Sequence, residues 1–97
     1  MDGTIAATQE VLDLPFVREM DDGDVYLWHP KPTGDRAADI ATGEYFARLT
    51  MLCAKEFDLP LLLASVLRDM TLAGKFTGVE AGFIAAVAST AQVGALN

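Results

Sequence analysis

The sequence predicts an α+β fold, mostly helical, with an N-terminal β-hairpin packed on a three-helix bundle. Three observations carry that expectation. Residues 16–29 are rich in β-branched and aromatic side chains around Asp22-Gly23, a turn signal, and residues 35–93 repeat apolar side chains at steps of three and four. Between them stands Pro30-Lys31-Pro32-Thr33-Gly34, a linker whose two prolines lock φ and remove two backbone donors. At 97 residues, 52% hydrophobic and 22% charged, residues 1–97 are expected to form a single small domain rather than a disordered chain.

The first fifteen residues fit one helical turn or a ragged strand about equally, through Ile5, Val11 and Leu12, and Pro15 ends the segment in either case. The hairpin follows, with strands 16–20 and 25–29 about a two-residue type I′ turn. In that register Met20 faces Val25, Arg18 faces Leu27 and Phe16 faces His29 on one side, with Glu19 against Tyr26 and Val17 against Trp28 on the other. A lone two-stranded ribbon is barely stable in water, so it must rest on helices or pair with a third strand.

Three helices are expected, over about 35–57, 59–74 and 78–93. In the first, Ile40, Ala41, Tyr45, Leu49, Leu52 and Cys53 form the apolar stripe, and Gly43 marks close packing or a kink. In the second, Asp58 and Pro60 suit the start, Leu62, Leu63, Val66, Leu67, Met70 and Ala73 the buried stripe, Ser65, Arg68 and Asp69 the wet face, and Gly74 the C-cap. The third opens with Thr77-Gly-Val-Glu80, which has the form of a capping box. Its large residues Phe83, Ile84, Val87 and Ala91 fall on one stripe and the small Gly78, Gly82, Ala86 and Ser89 on another. Small residues four apart admit a close neighbour, so this helix is expected to be contacted on two sides, and Gly78, Gly82, Phe83, Ala86 and Ser89 are read as a homodimer interface.

Charge is unevenly distributed. The net charge is -7, and all of it belongs to residues 1–44, with ten acids against three bases; residues 45–97 are neutral, and from Ala81 onward there is no charged residue. The scattered bases offer no patch for phosphate, so nucleic acid and anionic membrane are excluded as partners, while a basic protein suits the acidic half. The uncharged tail of seventeen residues is dominated by alanine and interrupted by Ser89, Thr90 and Gln92, a composition suited to burial against protein rather than lipid. A single cysteine and no secretory pattern near Met1 give a cytoplasmic expectation.

Three places could carry chemistry. Tyr26, Trp28, His29, Lys31 and Arg36 gather two aromatics, a histidine and two bases within eleven residues, a set that suits a small anionic or aromatic ligand. Asp21, Asp22 and Asp24 present three carboxylates that a hard cation would accept, but their spacing departs from the calcium-loop pattern. Cys53, among Leu49, Met51, Leu52 and Phe57, reads as a core residue. No nucleophile elbow, phosphate loop, histidine-glutamate metal pair or cysteine ligand set is present, and no cofactor is implied. The second and third helices do not form a DNA reader, because Glu80 and apolar residues occupy the end that would meet bases. The leading expectation is a small acidic interaction or accessory protein that dimerises through its third helix. The alternatives are a small-molecule-binding protein or weak enzyme at the hairpin-to-helix corner, and an acidic mimic of DNA.

Overall fold

The helical periodicity of the second half becomes three long helices in the computed structural model, which describes residues 9–96. The order is α1 (Gln9–Leu12), β1 (Arg18–Glu19), β2 (Val25–Tyr26), α2 (Arg36–Glu56), α3 (Leu62–Ala73) and α4 (Gly78–Leu96). The protein is thus mostly helical, with one small antiparallel hairpin near its N-terminus. Of the ambiguous opening segment, residues 1–8 lie outside the described residues, and the remainder makes a single helical turn that gives way at Asp13, ahead of Pro15. Among the described residues no helix is long and apolar enough to cross a membrane.

The chain divides into two compact units. The first joins the described residues up to Lys31 with Leu49–Lys75, and so holds α1, the hairpin, the C-terminal end of α2 and all of α3. Its buried side chains include Val11, Phe16, Leu27, Trp28, Cys53, Leu62, Val66 and Met70, with Phe16 and Trp28 stacked at a tilt, ring centroids 5.3 Å apart. The second unit joins Pro32–Arg48 with the described residues from Phe76 onward, and holds the N-terminal part of α2 and all of α4.

The hairpin departs from its expected register. Arg18 pairs with Tyr26 and Glu19 with Val25, one residue away from the alternation read in the sequence. A type I′ turn needs positive φ at both central residues, but in this loop only Gly23 has it, at 92°, and Asp22 does not. The loop is therefore three residues long, closed by Met20 N donating to Asp24 O (2.7 Å) and Gly23 N donating to Met20 O (3.0 Å). At the open end the expected pairing returns, because His29 N donates to Phe16 O at 2.7 Å. Leu27 and Trp28 thus lie opposite Val17 alone, the count of a β-bulge. The Leu27 N–H, released from the ladder, donates to Asp69 Oδ2 of α3 at 2.9 Å.

Within α2 the buried line is Asp39, Gly43, Ala47, Thr50 and Cys53. The stripe expected from large side chains is rotated away from it: Ala41 is exposed, Tyr45 is 50% exposed and Leu52 61%, and of that set only Cys53 is buried. The reason is visible in the second unit, where a Cβ added to Gly43 would lie 1.9 Å from Val79 O of α4. One added to Gly82 would lie 2.0 Å from Ile40 O. The helices pass backbone to backbone, so small residues, not large ones, mark the contact. Gly43 thus serves close packing, one of the two roles read for it.

Other local signals are realised in part. Gly74 ends α3 in the left-handed region (φ 72°), with its N–H on Thr71 O. Thr77 and Glu80 form the capping box: Thr77 N donates to Glu80 Oε1 (2.6 Å) and Val79 N to Thr77 Oγ1 (3.2 Å). Asp58 does not cap α3. It takes a left-handed φ of 53° in the preceding turn, and the capping position falls to Leu61, which makes no side-chain cap bond. Ser65, expected to be wet, is buried, and Ala73, expected on the buried stripe, is exposed.

Candidate functional site

The residues singled out at the hairpin-to-helix corner take different surroundings. Trp28 is buried on Phe16 and belongs to the core of the first unit, whereas Tyr26, His29 and Lys31 are exposed. Arg36 is exposed at the start of α2, in the second unit. His29 has a partner that the sequence did not suggest: Arg18 Nη1 stands 3.2 Å from its Nε2 across the hairpin. Since a guanidinium has no lone pair to offer, Arg18 is the donor of this contact and the ring nitrogen its acceptor. The indole anchors the ribbon, and the polar groups beside it face solvent.

Asp21, Asp22 and Asp24 sit on the exposed hairpin loop. Asp22 Oδ1 accepts the Asp24 backbone N–H at 2.9 Å, so one of the three carboxylates works in forming the turn. Among the described residues no group of three His, Cys, Asp or Glu side chains converges as a metal site requires. Cys53 is buried, and burial, with the charges of Glu10 and Glu56 adding to it, raises its thiol pKa above the ordinary value. Such a thiol carries less thiolate than a free one, the opposite of an activated nucleophile.

A buried, multiply bonded carboxylate is one that sequence reasoning passed over. Asp39 is 3% exposed and accepts from Thr33 N (3.0 Å), Thr33 Oγ1 (2.8 Å) and Gly34 N (3.1 Å), clasping the linker to α2. The Thr33 backbone N–H, then its hydroxyl, hold the pKa below the ordinary value against the opposing effect of burial. The available signal was its place four residues before Gly43 on the line of small residues. Asp35 caps the same helix, its Oδ1 accepting from Ala38 N.

The small stripe of α4 is partly used inside the chain. Gly78 meets Asp39 Cβ and Arg36 O, Gly82 meets Ile40, and Phe83 is fully buried. Ala86 is half-buried and Ser89 exposed. Beyond Phe83 the side chains of Ile84, Ala85, Ala88, Ser89, Thr90, Ala91 and Gln92 are exposed, on a helix that has no charge after Glu80. Comparison with protein-family models, curated proteins and solved structures found no match.

Proposed function

We propose that this is a small interaction or accessory protein that works as a homodimer, two copies meeting along the outer half of α4, with the acidic first half of each chain offered to a basic partner. The observation that carries this reading is the mismatch between the composition of α4 and its covering. A helix apolar all round is stable when covered on more than one side. In-chain contacts bury Gly78, Val79, Glu80, Gly82 and Phe83 of its first two turns, whereas Ile84 is 41% exposed and Ala85 and Ala88 are exposed beside it.

Charge favours a second copy as the occupant. Two chains of net charge -7 repel one another, and they approach at least cost where neither carries charge, which is the stretch from Ala81 onward. An isologous two-fold contact sets Ile84 of one copy against Ala85 and Ala88 of the other, with Ser89 at the rim. Gly78, Gly82 and Phe83, read from the sequence as part of this interface, serve in-chain packing in this reading. A contact of about three helical turns belongs to the small interface class, that of weak and transient association. The setting we infer is cytoplasmic.

Light scattering at micromolar concentration tests the reading. The wild-type chain is expected to run as a dimer and the double variant Ile84→Glu, Ala88→Glu as a monomer of unchanged helical content. A wild-type monomer, or a dimer indifferent to both glutamates, would overturn it.

A further inference from the structure

The outer face of α3 is a second surface with a character of its own. Leu61, Arg68 and Leu72 follow one another at steps of seven and four, which brings them within about 20° of a single line along the helix, with Ala64 about 60° to one side of Leu61. All four are exposed, Leu61 at 56% and Leu72 at 77%. Lys75, also exposed, stands just beyond the Gly74 cap at the Leu72 end. The charge of this face is reversed relative to the chain as a whole. The one carboxylate of α3, Asp69, is turned toward the hairpin, where its Oδ2 accepts the Leu27 N–H and its Oδ1 takes Arg68 Nε and Nη2 at 3.3 Å. The outward line therefore carries no carboxylate of its own, and its Leu72 end lies between Arg68, which is paired with Asp69, and Lys75, on a protein whose net charge is -7.

We propose that this face docks an amphipathic helix of another protein, one with leucine-type anchors and glutamate or aspartate on its flanks. Exposed apolar anchors at helical spacing are the elements that helix-to-helix recognition reads, and the bases select an acidic partner by complementarity. A second copy of this chain fits less well, since the same face on both sides of a two-fold axis would bring Arg68 and Lys75 against their equivalents.

The test uses the full chain and a fluorescein-labelled amphipathic peptide of about 15 residues, leucine on one face and glutamate on the other, with a lysine-for-glutamate peptide as its counterpart. Fluorescence anisotropy is expected to show the glutamate peptide binding at least about tenfold more tightly than the lysine peptide. Leu61→Ser with Leu72→Ser should weaken the glutamate peptide by about tenfold or more, and Arg68→Glu with Lys75→Glu should invert the preference. Since all four positions are exposed, a thermal melt that matches wild type confirms that each variant is folded. Equal binding of the two peptides, or glutamate-peptide binding unchanged by the leucine variant, overturns the proposal. So does loss of self-association in the leucine variant, which would assign this face to a second copy.

Discussion

Single residues set how closely the helices approach. Gly43, Gly78 and Gly82 occupy positions where a methyl group would meet backbone or the Cβ of Asp39 rather than the far end of a flexible side chain. Gly82→Ala is therefore expected to cost about 3 kcal/mol or more, since neither helix can yield without losing its own hydrogen bonds. Gly23→Ala, where only the backbone conformation objects and no atom lies within 4 Å, should cost about 1 kcal/mol. Paired urea titrations measure the difference, and equal losses would contradict the close approach. Asp39 gives a pH signature. A carboxyl held below its ordinary 3.8 by bonds to Thr33 and Gly34 contributes stability above that value and loses it as pH falls through the lower folded one. Asp39→Asn should lower stability at neutral pH and flatten this part of the acid limb, as followed by circular dichroism melts from neutral to strongly acid pH. An acid limb of unchanged steepness would contradict the clasp.

At the scale of elements, the helices were legible because their ends are written locally. The Pro-rich linker before α2, Gly74 after α3 and the Thr77/Glu80 box before α4 each act within a few residues of the boundary they set. Two features were not legible, for different reasons. The α2 face was misread because periodicity weights large side chains, whereas a backbone-to-backbone crossing selects small ones, and Tyr45 and Leu52 were displaced outward. The hairpin register was misread because one left-handed residue, not two, closes the loop, and because Leu27 takes its partner from α3, 42 residues away. No local pattern announces Asp69 as that partner. With only two paired residues in each strand, the ribbon depends on this bond and on Trp28. Asp69→Ala is expected to speed hydrogen exchange at the Leu27 amide and to cost about 1.5–3 kcal/mol, the range for a hydrogen bond to a charged group. Unchanged exchange at Leu27 would show that the bond to Asp69 does not hold the ribbon.

For the whole molecule, charge is the property with the widest reach. Of the candidate site, the sequence made legible that α4 has no charge after Glu80 and that Gly78 and Gly82 admit a close neighbour; it could not say that this neighbour is α2 of the same chain. That assignment moves the proposed self-contact outward, to Ile84, Ala85 and Ala88. A dimer built there joins two uncharged surfaces on bodies that each carry -7, and so has a distinctive response to salt. Screening removes the repulsion between the bodies and takes nothing from an apolar contact. Sedimentation equilibrium of the wild-type chain at low and high salt tests this most directly. The account predicts a species of twice 10.4 kDa whose dissociation constant falls as salt is added. A mass of 10.4 kDa throughout the micromolar range, or a dimer that salt dissociates, would contradict it.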